Sequence, residues 1–178
     1  IPIICVGNIY IGGTGKTPLT LEIVSILKEL NKKVAIVKKD YQNQQDEFKL
    51  IESKEVRLFK NVSRITSINN AISNGFETVV LDDGFQDFSV ERSLDIVCFN
   101  EKQLIGNGMT LPSGPLREPF SSLKRCQIIM INGETNLEFE KKIKDTSNNI
   151  SIYYSKYLPT NIENFKNQNL LAFAGVGN

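Results

Sequence analysis

The segment Gly7-Asn8-Ile9-Tyr10-Ile11-Gly12-Gly13-Thr14-Gly15-Lys16-Thr17 has the composition of a cradle for phosphate groups. Its glycines let successive backbone N–H groups turn toward an anion without Cβ clashes. Lys16 supplies a full positive charge suited to β- and γ-phosphates, and the Thr17 hydroxyl suits a magnesium ion. The strict form of such a loop carries glycine five positions before Gly15, where this chain has Tyr10. The run Gly12-Gly13-Thr14-Gly15-Lys16-Thr17 keeps the other parts of the loop. A second constellation, Asp82-Asp83-Gly84, closes the apolar run Thr78-Val79-Val80-Leu81. Adjacent carboxylates repel each other unless a cation or a donor offsets them. A strand-end acid beside a phosphate loop serves the magnesium shell, directly or through water. Spacing does not choose between Asp82 and Asp83 for that role.

These groups need elements that bring them together. Residues 1–6 are apolar and β-branched, and apolar residues recur at helical spacing over 17–30, so the phosphate loop is flanked by a strand and a helix. The same alternation predicts strands at 33–37, 77–81, 95–99, 127–131 and 150–154 and helices at 62–73 and 137–144. Strands alternating with helices imply an α/β fold of the P-loop NTPase type, with a doubly wound, mostly parallel sheet covered by helices on both faces. No linker or repeat divides residues 1–178, which read as one nucleotide-binding domain. Residues 41–49, polar and rich in Gln and Asp, and residues 101–119, long and bearing Gly and Pro, break the rhythm. Ligands of open α/β sheets sit outside the carboxyl ends of strands, so both stretches are candidate site loops.

Bulk properties narrow the chemistry. With 21 Lys and Arg against 20 Asp and Glu, the net charge of +1 provides no field for nucleic acid, so anion recognition has to be local. Cys5, Cys98 and Cys126 are far apart and lie in or beside apolar runs, which fits buried, reduced thiols rather than a zinc site. The chain has no histidine, so acid-base work within it falls to carboxylates or lysines. No apolar run reaches the roughly 18 to 20 residues of a membrane span, and no signal peptide is visible, so the chain itself is expected to be soluble. It begins inside one strand pattern and ends just after another at 170–174, as expected of a fragment or trimmed chain.

The stretch Asp82-Asp83-Gly84-Phe85-Gln86, the stretch Gly106-Asn107-Gly108, and the run Leu111-Pro112-Ser113-Gly114-Pro115-Leu116-Arg117-Glu118-Pro119 together resemble the tetraacyldisaccharide 4'-kinase family. So do Val6-Gly7-Asn8 leading into the phosphate loop and Pro18, Leu123-Lys124-Arg125, and the closing Ala172-Phe173-Ala174-Gly175-Val176-Gly177-Asn178. The resemblance spans essentially the whole chain in the family's order, and the proline-rich run is its most specific part. It implies ATP-dependent phosphorylation of the 4'-hydroxyl of an acylated glucosamine disaccharide 1-phosphate, at the cytoplasmic face of the bacterial inner membrane. The product is a lipid A precursor. It also implies a peripheral membrane surface in the full-length protein. Carried over by motif, Gly12, Gly13, Thr14, Gly15, Lys16 and Thr17 bind ATP, Thr17, Asp82 and Asp83 serve Mg²⁺, and Arg117 with Glu118 belongs to the active-site loop. The family's hydroxyl-activating aspartate corresponds to Asp46, within Gln45-Asp46-Glu47-Phe48. In catalytic terms the resemblance selects Asp46, Asp83, Arg117 and Glu118. Phosphoryl transfer asks chiefly for alignment and charge neutralisation, which Lys, Arg and a metal supply, with a carboxylate to accept the hydroxyl proton.

The chain departs from the family pattern at Asp87, where histidine usually follows Asp-Asp-Gly-x-Gln, and at Lys38-Lys39-Asp40-Tyr41, where Ser-Arg-Gly-Tyr is usual. Lysine keeps the charge but not arginine's bidentate geometry. The family's assisting histidine from the C-terminal half and its N-terminal membrane-associating helix are expected to lie outside these residues. Two other readings compete. One is an ATPase or GTPase of the partition or metallochaperone kind, which commonly carries lysine where Ile11 stands. The other is a nucleotide-binding module without catalysis.

Overall fold

The computed structural model describes residues 1–40, 51 and 56–158. Strand β1 (Ile3–Gly7) leads through the glycine loop into helix α1 (Lys16–Glu29), followed by β2 (Val34–Lys39), β3 (Leu58–Asn61), α2 (Arg64–Ser73), β4 (Thr78–Asp82) and β5 (Leu94–Asn100). A 3-10 turn (Phe120–Arg125), β6 (Ile128–Asn132), α3 (Leu137–Thr146) and β7 (Ser151–Ser155) complete the order. The strands form one sheet of 7 in the order β3-β2-β4-β1-β5-β6-β7. Every recorded strand pairing is parallel. The predicted doubly wound α/β architecture is therefore present. Strand β3 and the 3-10 turn are additions that the periodicity does not reveal.

Alternation along the strands assigns residues to two cores. Cys5, Ala35, Val37, Val79, Leu81, Val97, Phe99, Ile129 and Ile131 share one cluster with Ile68 of α2 and Phe139 and Ile143 of α3. The intervening Val6, Val34, Ile36, Val80 and Cys98 join Val24 of α1 in the other. Strands buried on both faces explain why their sequences read as continuous apolar runs rather than as alternation. Phe99 meets Phe139 edge to face at 5.1 Å, a geometry worth about 0.5–1.5 kcal/mol beyond its buried area. All three cysteines are free and buried. Burial pushes the Cys98 and Cys126 thiols up to about 12, so both stay protonated at neutral pH. Among the described residues no helix is long and apolar enough to cross a membrane.

The topology places the switch point at β1. The chain leaves β1 for β2 on one side, returns to β4 beside β1, and then crosses to β5 on its other flank. The crevice above the carboxyl ends of β1 and β4 is where an open α/β sheet accepts a ligand. The glycine loop and the Asp82-Asp83 pair both lie there.

Candidate functional site

The glycine loop is fastened from within and left open outward. Asn8 is fully buried, and its side-chain amide donates to Thr14 Oγ1 at 3.0 Å and to the Gly12 carbonyl at 3.5 Å. The Gln86 amide donates to the Asn8 carbonyl at 2.8 Å, tying the loop to the turn after β4. A Cβ on Gly7 would stand 2.4 Å from Phe85 Cβ, so only glycine lets β1 and this turn approach. Phe85 is fully buried and has little room to yield. Gly7→Ala is expected to lower stability by about 1–3 kcal/mol through overpacking. A denaturant midpoint unchanged from the parent would contradict this.

Helix α1 begins after Gly15, whose φ of 84° is left-handed, and it has neither a side-chain cap nor an acid in its first turn. Two other described helices differ. Ser63 caps α2 and Asn136 caps α3, which also carries Glu138 and Glu140 in its first turn. The N–H groups at the start of α1 are thus left for an exogenous anion, which the helix dipole also favours.

The strand register sets the polar centre. Asp82 at the end of β4 lies between Val6 of β1 and Lys38 of β2. Lys38 Nζ donates to Asp82 Oδ2 at 2.8 Å, with the two side chains 3% and 0% exposed. The Thr17 hydroxyl donates to the same oxygen at 3.3 Å. Asp82 Oδ1 is buried without a hydrogen-bond partner among the described residues. An orphaned carboxylate oxygen beside a threonine hydroxyl at the phosphate loop suits a hard, oxygen-seeking cation, so Thr17 and Asp82 fit a magnesium ion.

Asp83 turns the other way and gathers cations. Arg117 NH1 donates to both of its carboxylate oxygens, at 2.9 and 3.1 Å, and Lys16 Nζ stands 3.5 Å away. Burial pushes the Asp83 carboxyl up, but Lys16 and Arg117 outweigh it and hold it below the usual carboxylate value. At Asp87 burial likewise pushes upward, and hydrogen bonds from Ser89 and Arg64 bring the carboxyl down to about 2, from 3.8. Both groups bind protons less well folded than unfolded. Their stabilisation is complete above about pH 4 and is lost as pH falls through the folded values, toward about 2 for Asp87. Unfolding midpoints should accordingly fall across that window, and Asp87→Asn should flatten part of the descent. An Asp87→Asn profile parallel to the parent's would refute the assignment.

Arg117 reaches Asp83 because residues 101–119 fold back on the glycine loop. Ile11 N donates to the Pro115 carbonyl at 2.9 Å, Arg117 N donates to the Ile9 carbonyl at 2.7 Å, and Tyr10 forms an antiparallel bridge with Leu116. The departure at Tyr10 thus sits where the loop pairs with a second segment. Glu118 points elsewhere. It accepts from Arg125 at 2.7 Å, and that guanidinium lies 4.5 Å from the Phe85 ring centroid and 4.8 Å from that of Phe88. The structure therefore brings together Lys16, Thr17, Asp82, Asp83 and Arg117 around the loop of Gly12, Gly13, Thr14 and Gly15, and sets Glu118 behind them. Asp46, the candidate loop 41–49 and the closing motif 172–178 lie outside the described residues.

Motif reading takes Lys38 as a charge kept near a substrate phosphate, whereas the structure buries it against Asp82, and it does not assign Arg64 at all. The apolar pattern of 33–37 stops one residue short of Lys38, and Arg64 reads only as part of a helix start. A cavity of about 230 Å³ opens beside Gly15, lined by Thr14, Pro18, Cys98, Met130, Asn132 and Tyr157 among others. It is next to the phosphate cradle and has an apolar floor, as the base and sugar of a nucleotide require.

Comparison with known proteins extends this picture. The family model described as tetraacyldisaccharide-1-P 4'-kinase matches residues 1–178. A tetraacyldisaccharide 4'-kinase of Pelagibacter ubique is 51% identical over 178 residues, covering 98% of this chain and 56% of the relative. One from Legionella pneumophila (strain Corby) is 33% identical over 151 residues, covering 74% and 47%. The chain spans about half the length of the curated relatives it matches. Among solved structures, LpxK from Aquifex aeolicus in complex with ATP aligns with a TM-score of 0.66 at 18% identity, over 96% of this chain and 75% of that one. Hydrogenase maturation factor HypB from Archaeoglobus fulgidus aligns with a TM-score of 0.60 at 9% identity, over 87% and 81%. At these identities the structural likeness is one of fold.

Proposed function

The chain belongs to the tetraacyldisaccharide-1-P 4'-kinase family, and from that membership we propose that it is the nucleotide-binding part of an ATP-dependent kinase. Its acceptor is the 4'-hydroxyl of a tetraacylated glucosamine disaccharide 1-phosphate, and its product a lipid A precursor. The observation that carries this reading is the junction of two segments. The phosphate loop is common to many nucleotide-binding proteins, but here the run 111–119 pairs with it and delivers Arg117 to Asp83 opposite Lys16.

In this reading the α1 amides and Lys16 hold the β- and γ-phosphates of ATP, and the cavity beside Gly15 receives the nucleoside. Thr17 and Asp82 hold Mg²⁺, which when bound offsets charge on the phosphate oxygens. Asp83 holds the Lys16 ammonium and the Arg117 guanidinium close together beside the glycine loop, so that both can turn to phosphate oxygens without reorganising the fold. The acceptor hydroxyl oxygen attacks the γ-phosphorus, and the bond to the β–γ bridging oxygen breaks, leaving ADP. The hydroxyl proton passes to a carboxylate, the role we give Asp46. We infer that the full-length protein works at the cytoplasmic face of the inner membrane, where it meets its lipid acceptor, and that its ligands are ATP and that lipid rather than nucleic acid. Glu118 supports the active-site loop through Arg125.

Acceptor-dependent ADP release tests the reading. With the full-length protein, magnesium and detergent, ADP should form only when the disaccharide 1-phosphate is present. Equal ADP release without acceptor would favour an ATPase, and bound ATP without ADP release would favour a module lacking catalysis.

A further inference from the structure

Asp83 is the hub of the cationic cluster, yet its backbone lies in the left-handed region, with φ 59°. Few non-glycine residues adopt that conformation, aspartate more readily than most, and here hydrogen bonds hold it on both sides. Its N–H is held by the Val6 carbonyl at 2.9 Å. Its carbonyl accepts from Arg64 NH2 at 2.5 Å, and NH1 of the same guanidinium donates to Asp87 Oδ2 at 2.8 Å. Arg64 is 5% exposed and opens α2, on the other side of the turn from the phosphate loop.

We propose that Arg64 and Asp87 form a positioning pair that locks the Asp83 turn, and with it the placement of Lys16 and Arg117, for phosphoryl transfer. The physical basis is the rigid fork of the guanidinium. Its two nitrogens hold a fixed spacing, so anchoring one on Asp87 fixes where the other meets Asp83. Asp87 is itself immobilised. Its Oδ1 accepts from Ser89 N at 3.0 Å and Ser89 Oγ at 2.5 Å, its N–H donates to the Gly84 carbonyl at 3.0 Å, and its carbonyl accepts from Arg92. Arg92 is paired in turn with Asp95 at 2.7 Å. Aspartate at position 87 is therefore the partner that a buried arginine at 64 requires. Among the described residues neither hydrogen-bonds nor ion-pairs with the phosphate loop, so their action on transfer runs through the Asp83 backbone.

The catalytic part of this inference rests on the kinase reading, and its structural part does not. In the full-length protein, Arg64→Lys and Asp87→Asn should lower kcat by about 10- to 100-fold, the scale of a small misplacement in an active site. KM for ATP should stay within about twofold, because the binding contacts are intact. Asp87→Glu should recover most of the loss. The double variant should be no worse than Arg64→Lys alone, since both changes break one linkage. In the labelled protein, the Asp83 carbonyl ¹³C and Gly84 amide resonances should move in Arg64→Lys and Asp87→Asn and return in Asp87→Glu. Resonances that do not move in folded variants would overturn the pair as a lock. A kcat that tracks only the folded fraction, or additive losses in the double variant, would overturn its role in transfer. If the parent protein transfers no phosphate, the kinase reading falls, and the resonances still decide whether the lock exists.

Discussion

Lys16→Ala should leave a folded protein that no longer binds ATP productively. Lys16 opens α1, whose start has no side-chain cap, and its side chain is only 14% exposed. A cation in a partly dry crevice acts on phosphate far more strongly than one in water. Removal of one such preorganised group costs about 10²- to 10³-fold in turnover. The fold should survive, because Arg117 still holds both oxygens of Asp83 after Lys16 is lost. Calorimetric titration with ATP and turnover of the same preparation check this. Unchanged affinity and turnover would remove Lys16 from the site and the phosphate loop from the mechanism.

Asp82→Ala should damage stability and chemistry together, and a second substitution should separate them. The Lys38–Asp82 pair is buried at 2.8 Å. Removing one member of such a pair typically costs about 3–5 kcal/mol, because the remaining charge stays in a poor solvent. Domains of this size hold only about 5–15 kcal/mol in total, so the loss is severe. Adding Lys38→Met to Asp82→Ala removes the stranded ammonium and should recover most of that stability, since apolar replacements of buried pairs are often neutral. Transfer should not recover, because the carboxylate with the orphaned oxygen is gone. Denaturation of the three variants beside the parent gives the first half and turnover the second. A double variant as unstable as the single would contradict the ion-pair account, and one with restored turnover would remove Asp82 from the magnesium site.

The sequence discloses the elements whose residues carry a local signal. β4 shows itself because an apolar run stops abruptly at two acids, and α1 because its apolar residues recur at helical spacing after a glycine loop. β3 has no such signal. It is an edge strand of 4 residues, Leu58–Asn61, whose exposure changes along its length and whose pairing with β2 supplies its order. The boundary of α2 lies at Arg64 rather than 62 because Ser63 accepts from Thr66 N and caps the helix.

Within the site, motif reading finds the groups gathered around the glycine loop and misses how they pair with one another. Arg117 and Glu118 are adjacent and look like one functional unit, but Arg117 reaches Asp83 while Glu118 reaches Arg125. The two lie in an irregular bend after the Leu116 bridge, so their adjacency in sequence does not put their side chains in one place. Lys38 becomes the partner of Asp82 only through the register of β2 against β4. Arg64 meets Asp83 across 19 positions of sequence, so the Asp-Gly turn is legible in the sequence but its partner from the start of α2 is not.

The destination of the γ-phosphate separates transfer from hydrolysis. Full-length protein with γ-labelled ATP, magnesium and a tetraacyldisaccharide 1-phosphate in detergent should yield a lipid that carries the label on its 4'-oxygen, with one ADP formed for each lipid phosphorylated. Label released as inorganic phosphate, with the lipid unchanged, would contradict it.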